Sequence, residues 1–186
     1  MVTGNVWAVL VAASTVVVAG CSSSPSGGTP RVAGSSGAPP SATAPLAVSP
    51  ADIARQQATA AYLGMWQDMA AAATTSDWQS PRIRQHATGD ALLVISKSLY
   101  TDHLNGVVTK GAPTDSPMAS SVDSPSAPIT VMISDCGDSS NWLKYRNGQL
   151  FDDTPGGRRS ITAEVKKQPG GSWKVTRFAV ESLGSC

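Results

Sequence analysis

Apolar residues recur at intervals of three and four between positions 50 and 74, which is the spacing of one face of an α-helix. Ser49 and Pro50 precede this pattern, and serine favours the N-cap of a helix while proline favours its first position. We therefore predict a long first helix from Pro50 to about Thr74 that packs its apolar face on a sheet. That face consists of Ala58, Ala61, Tyr62, Met65, Trp66, Met69, Ala72 and Ala73.

Two shorter helices are predicted next. Ser80-Pro81 repeats the start signal, and Thr88-Gly89 marks the end of a short second helix. A third helix is predicted from about Asp90 to Leu104, since its apolar residues share one side and Asn105-Gly106 follows as a stop signal. The residues on that side are Leu92, Ile95 and Leu99.

After Gly106 the apolar residues alternate with polar ones, as in half-buried strands. Asn147-Gly148 is a strong hairpin signal, and the apolar alternation shifts phase before Phe178, which predicts a β-bulge near Arg177. Helices followed by an antiparallel meander predict an α+β fold, with N-terminal helices packed on a curved antiparallel sheet. The predicted strands are 107–109, 118–122 (a weak strand or a loop), 129–133 (strongest), 142–146, 149–152, 159–167 and 173–181.

The residues before Pro50 differ in composition from the rest. The apolar run 6–19 is shorter than the roughly 20 residues of a membrane span, but it suits the core of a signal peptide. Ala19-Gly20-Cys21 then resembles the lipobox of bacterial lipoproteins, in which the cysteine receives a diacylglycerol. This resemblance implies a signal peptide at 1–20 and an anchor at Cys21 that holds the protein on the outer face of the cell membrane.

Residues 1–5 carry no Lys or Arg, although signal peptides normally begin with a positively charged segment, and a mis-assigned start codon would explain this departure. The alternative readings are a true but atypical start, or an ordinary secretory signal in which Cys21 is incidental. Residues 21–49 are nearly all Ser, Gly, Pro, Ala and Thr, which cannot bury enough apolar surface to order the chain. We predict that 21–49 is a disordered tether and that 50–186 is one domain.

Charge and cysteine content narrow the function. The net charge of the 186 residues is +1 and only 15% are charged, which argues against binding to nucleic acid. If Cys21 carries lipid, Cys136 and Cys186 remain to form a disulfide in an oxidising compartment, provided that their Cα atoms come within about 7 Å. The CxxC and HExxH patterns are absent, so the sequence indicates no metal and no cofactor.

A family resemblance rests on five short segments: 86–92 (HATGDAL), Gly106, Gly111, 135–139 (DCGDS) and 171–175 (GSWKV). They resemble the nuclear transport factor 2-like domains of secreted and lipid-anchored actinobacterial proteins. The resemblance covers roughly residues 50–186 and implies a cone of helices on a strongly bent sheet. That fold hosts isomerases and dehydratases as well as non-catalytic binding modules, so fold alone does not select a function.

An enzyme of this fold needs an acid or base inside the cone, and a tyrosine can serve as oxyanion donor. Tyr62, Trp66, Tyr100 and His103 are therefore the candidates for lining a pocket. Asp102 and His103 are adjacent on a helix and do not face each other, so we assign no catalytic residue.

Two polar segments and one group of cations remain. We interpret 135–140 as a polar turn after a strand and 152–157 as a loop, since neither has the ligand order of an EF-hand calcium site. The cations of the final hairpin are predicted to form a solvated outer face, or alternatively to contact anionic headgroups or a wall polymer. They are Arg158, Arg159, Lys166, Lys167, Lys174 and Arg177.

We therefore expect a non-catalytic, lipid-anchored protein of the cell envelope that binds a small apolar ligand or an envelope partner. The alternatives are a small-molecule isomerase or dehydratase of the polyketide-cyclase-like kind, and an accessory module of a wall or transport complex. A buried acidic group with a raised pKa in the pocket would favour the enzyme. A pocket without a titratable group would favour the binder.

Overall fold

A computed structural model describes residues 47–151 and 156–186 of the chain. The predicted signal peptide, Cys21 and most of the tether lie outside the described residues, as do the first four residues of the loop predicted at 152–157. The helices are α1 (Pro50–Ala73), α2 (Ile83–His86) and α3 (Gly89–Leu104). The strands are β1 (Val107–Lys110), β2 (Met118–Val122), β3 (Thr130–Asp138), β4 (Leu143–Arg146), β5 (Gln149–Leu150), β6 (Arg158–Lys167) and β7 (Trp173–Val180).

Helix α1 begins as its sequence signals require. The backbone N–H of Asp52 donates to Oγ of Ser49 at 3.1 Å, and the Ser49 hydroxyl donates to the Asp52 carboxylate at 2.7 Å. This reciprocal arrangement satisfies one of the helix's unpaired N–H groups. The predicted apolar face is buried except at Met69, which is half-buried. The first helix is thus confirmed at both ends.

Helix α2 is shorter than its start signal suggested. Its N-cap is Arg82 and not Ser80, and it has four residues. Nδ1–H of His86, at the end of α2, donates a hydrogen bond to the Oδ2 carboxylate oxygen of the buried Asp68 on α1 at 2.7 Å. A Cβ at Gly64 would lie 2.7 Å from the His86 ring, so glycine is what lets α2 pack this closely on α1.

The strands form two antiparallel sheets instead of the single meander that we expected. One has the order β2-β3-β6-β7 and the other β1-β4-β5. The Asn147-Gly148 hairpin joins β4 to β5, as predicted, but β4 pairs with β1, so this hairpin separates β3 from β6 along the chain. Strand β7 carries the predicted bulge: Arg177 pairs with Glu164 and Val175 with Val165, which leaves Thr176 as the extra residue.

Strand β3 continues through Asp138, so the polar turn predicted at 135–140 is wrong for its first residues. The strand is extended because Asp135, Cys136, Gly137 and Asp138 all pair with β6. Cys136 forms a disulfide with Cys186, with Cα atoms 5.9 Å apart, which confirms the predicted pair. Long-range pairing thus overrides local sequence that favours a turn.

The core lies between α1, α3 and the inner face of the four-stranded sheet. On β3 and β6 that face presents buried aliphatic residues, namely Val131, Ile133, Ile161, Ala163 and Val165. Helices packed on antiparallel sheet confirm the α+β class. Beyond Ile133 and Ile161 the inner face continues with Asp135, Gly137 and Arg159, and here the core opens into a cavity.

Candidate functional site

A cavity of about 460 Å³ lies at this open end of the core, within the 300–1,000 Å³ typical of small-ligand sites. Helices α1 and α3, strands β6 and β7 and the loop before β2 all contribute to it. Most of the lining is apolar: Trp66, Met69, Val94, Pro113, Trp142, Ile161, Phe178, Val180 and Leu183. Few polar groups interrupt this surface, so each of them bears directly on what the cavity can bind.

Three rings form the aromatic wall of the cavity, which we define as Trp66, Trp142 and Phe178. The ring centroid of Trp66 lies 6.2 Å from that of Trp142 and 5.5 Å from that of Phe178, both in edge-to-face geometry. Aromatic pairs at such distances are mutually stabilising. The wall joins α1 to β7 and to the residue before β4, and it presents an apolar surface to the cavity.

A carboxyl group supplies the main polar feature beside this wall. Asp115 lines the cavity from the loop between β1 and β2, and its Oδ1 is buried without a hydrogen-bond partner among the described residues. A Cβ at Gly137 would lie 3.0 Å from that oxygen, so glycine at this place on β3 makes room for the carboxyl group.

Behind Asp115 lies a second carboxylate, Asp135, whose two oxygens are both held. The Tyr62 hydroxyl donates to Oδ2 at 2.9 Å, and the backbone N–H of Ser116 donates to Oδ1 at 2.8 Å. Burial and the Asp135 carboxylate raise the pKa of Tyr62 well above its ordinary value, so its hydroxyl keeps its proton. Tyr62 therefore positions Asp135.

Burial, and secondarily the neighbouring Asp135 carboxylate, raise the pKa of Asp115 from 3.8 to about 7. Near neutral pH the carboxyl group is thus a mixture of a neutral hydrogen-bond donor and an anion. Because the pKa is higher in the folded state than in the unfolded chain, Asp115 lowers the free energy of unfolding as the pH rises from about 4 to about 7.

Of the four predicted pocket residues, Trp66 lines the cavity, whereas Tyr62 is fully buried and does not. Trp66 belongs to the aromatic wall, and Tyr62 contacts it at 6.2 Å between ring centroids. Tyr100 packs its ring on Trp78 at 5.2 Å and is 43% exposed, while His103 is exposed; neither lines the cavity. Tyr100 and His103 do not reach the cavity because they lie on the outer, solvent-exposed side of α3.

Sequence reasoning missed the polar residues of the site, among them Asp115 and Arg159. Asp115 lies in a Pro- and Ser-rich segment without periodicity, so nothing local indicates its burial. Arg159 was assigned to a solvated outer face, and that assignment is wrong because Arg159 lines the cavity. Its signal was present: it has the same phase as the inward-facing Ile161, Ala163 and Val165 along β6.

Residues 47–151 and 156–186 have neither a metal-binding cluster of side chains nor a membrane-spanning helix. No group of three or more His, Cys, Asp or Glu side chains in this part of the chain is arranged to hold a metal ion. None of its helices has the length and apolar content needed to cross a membrane.

No protein-family model and no curated protein matches the chain. Among solved structures it is similar to the intermembrane space region of the chloroplast protein ARC6, with 15% identity, a TM-score of 0.41, and 69% of this chain and 96% of that one covered. It is also similar to a protein from Catenulispora acidiphila, with 12% identity, a TM-score of 0.43, and 69% and 91% covered. A ketosteroid isomerase-like protein from Erwinia carotovora atroseptica has 14% identity, a TM-score of 0.42, and 68% and 93% covered. At these identities and TM-scores, the three similarities assign no function to this chain.

Proposed function

We propose that this protein binds a small, largely apolar molecule in the cavity beside the aromatic wall. The observation that supports this proposal is the cavity itself, in which an apolar lining surrounds a few polar groups, Asp115 among them. Such a composition is typical of small-ligand sites, where apolar surface supplies affinity and few polar groups fix orientation. The nuclear transport factor 2-like resemblance of the sequence fits the same function.

Catalysis is the second candidate, because Asp115 is an acidic group in the cavity whose pKa is raised to about 7. A base of this kind suits an isomerase or dehydratase. The neighbouring groups favour binding, however: the Tyr62 hydroxyl donates to Asp135, and the Lys144 ammonium donates to Asp102 at 2.8 Å. Two of the groups that could stabilise an oxyanion, Tyr62 and Lys144, are thus bonded to carboxylates.

We predict that Val94→Trp weakens ligand binding by at least about tenfold, because Val94 lines the cavity and is 52% exposed at its mouth, so that an indole there blocks entry without disturbing the core. The measurement is a fluorescence titration with the neutral apolar probe N-phenyl-1-naphthylamine. Leu93→Trp is the matched control, since Leu93 is 65% exposed and does not line the cavity. Equal affinity in both variants would show that the probe binds elsewhere.

The same preparation separates the two candidate functions. Wild-type protein is incubated with a cyclic β,γ-unsaturated ketone, and conjugation is followed by ultraviolet absorbance. A binder leaves the absorbance unchanged. Turnover that is present in the wild type and lost in Asp115→Asn would replace the binding proposal with the isomerase.

We propose further that the domain is held at the outer face of the cell membrane by lipid on Cys21, with 21–49 as a flexible tether. The Cys136–Cys186 disulfide supports an oxidising compartment, because such bonds are rare in the reducing cytosol. An accessory role in a wall or transport complex is compatible with this location.

For the anchor, we expect radiolabelled fatty acid to enter the wild-type protein in its native host and not the Cys21→Ala variant. The variant should stay unprocessed or leave the membrane fraction, since the diacylglycerol attaches to that thiol. Cell fractionation with immunoblotting gives the second readout. Membrane attachment of an unlabelled wild-type protein would contradict the lipid anchor.

A further inference from the structure

Among the described residues that line the cavity, Arg159 is the one arginine. It stands on the inner face of β6, two positions before the buried Ile161, and it pairs across the sheet with Gly137 of β3. Because Gly137 has no side chain, the Asp115 carboxyl group and the Ile161 side chain occupy the space above it. A cation at the end of an apolar cavity favours a ligand that carries a negative charge.

The guanidinium group of Arg159 is held by one hydrogen bond, and its remaining N–H groups are available to a ligand. It donates one hydrogen bond from Nη1 to the backbone carbonyl of Glu181 at 3.1 Å, out of its five N–H groups. Within residues 47–151 and 156–186 no carboxylate lies within 4.0 Å of it. Lys144, the other cation of the cavity, is instead neutralised by Asp102 at 2.8 Å.

The mouth of the cavity has an apolar rim that is open to solvent. Val94, Val180 and Leu183 line the cavity and are 52%, 42% and 50% exposed. Exposed aliphatic residues next to a cavity can contact an alkyl chain that extends out of it. The rim, the aromatic wall and Arg159 thus present apolar contacts and one positive charge to the same ligand.

From these observations, and resting on the proposed function, we propose that the ligand is a single-chain amphiphile whose anionic head, a carboxylate or a phosphate, is bound by Arg159. The planar guanidinium fork matches both heads, which accept two parallel N–H bonds. The alkyl chain lies against the aromatic wall. The raised pKa of Asp115 reduces the share of its anionic form, and therefore the repulsion between that carboxyl group and the bound head.

The test is a displacement titration on the full-length protein. N-phenyl-1-naphthylamine is displaced by dodecanoate, dodecyl phosphate or dodecan-1-ol, which share a chain and differ in the head. We expect at least one anion to bind about tenfold more tightly than the alcohol, as a charge-assisted hydrogen bond predicts. The anion with the larger advantage identifies the head, and so distinguishes a fatty acid from a phosphorylated lipid as the source.

Arg159→Gln should remove that tenfold advantage and leave the affinity for dodecan-1-ol unchanged. Arg158→Gln is the matched control: it makes the same change at the next position, where the side chain is exposed and donates to Sγ of Cys136 at 3.2 Å. Arg158→Gln should behave as the wild type. Arg159→Lys, which keeps the charge and loses the fork, should retain part of the advantage and covers the case in which Arg159→Gln does not fold.

Equal affinities for all three chains in the wild type, or an anion advantage that survives in folded Arg159→Gln, would overturn the assignment of Arg159 while leaving an apolar binder in place. Failure of the naphthylamine probe and of all three chains to bind would instead overturn the proposed function itself.

Discussion

Removing the Cys136–Cys186 disulfide should lower the free energy of unfolding by about 4 kcal/mol. The bond joins residues 50 positions apart, and closing a loop of that length restricts the unfolded chain by about this amount in the chain-entropy model. A domain is usually stable by only about 5 to 15 kcal/mol, so the loss is a large part of the total.

The measurement is urea unfolding of the wild type and of the Cys136→Ser/Cys186→Ser double variant, followed by far-ultraviolet circular dichroism. Reduced and alkylated wild type is the control for the substitutions themselves. The bond also holds Leu183 at the cavity, helped by the hydrogen bond from Gly184 N–H to the Arg158 carbonyl at 2.8 Å. We therefore expect weaker probe binding in the double variant. Coincident unfolding curves would show that the bond adds no stability.

Trp66→Ala should lower the free energy of unfolding by about 3 to 5 kcal/mol, and it should also abolish binding of the naphthylamine probe. Trp66 is 6% exposed and its ring contacts Tyr62, Trp142 and Phe178 edge to face, so truncation removes the centre of the aromatic wall. Deleting a buried tryptophan side chain costs about this much, because the neighbours collapse only partly into the space.

Thermal and urea unfolding measure the stability, and the naphthylamine titration measures binding. Trp66→Phe keeps an aromatic ring and should retain most of both. Trp78→Ala is the second control, because Trp78 is half-buried and pairs with Tyr100 on the outer side of α3. It should lose less stability and bind the probe as the wild type does. Full probe binding by Trp66→Ala would place the ligand outside the aromatic wall.

Local sequence signals predicted the structure correctly where the hydrogen bonds and backbone geometry of an element depend on only a few neighbouring residues. The start of α1 follows from Ser49, Pro50 and Asp52, which interact only with their near neighbours. The Asn147-Gly148 turn and the bulge at Thr176 likewise follow from backbone preferences and from the phase of the apolar residues. The two-residue phase of β6 also held the information that Arg159 faces inward, although charge alone suggested otherwise.

Local signals failed where the partner lies far along the chain. The polar segment 135–138 is strand because β6 pairs with all of it, and β4 leaves the main sheet because β1 offers it a partner. No property of either segment by itself specifies these pairings, since any strand edge can supply the same hydrogen bonds.

The sequence by itself determined the helices, most strands and the availability of two cysteines to pair. Only the tertiary structure decided which polar groups share the cavity. Asp115 and Asp135 are 20 positions apart along the chain. The pKa of Asp115 is raised because its carboxyl group is buried and because the Asp135 carboxylate lies nearby. Tyr62 and Arg159 join the same region from α1 and β6. Electrostatic interactions depend on distance and on exclusion of water, and both quantities arise only when the chain is folded.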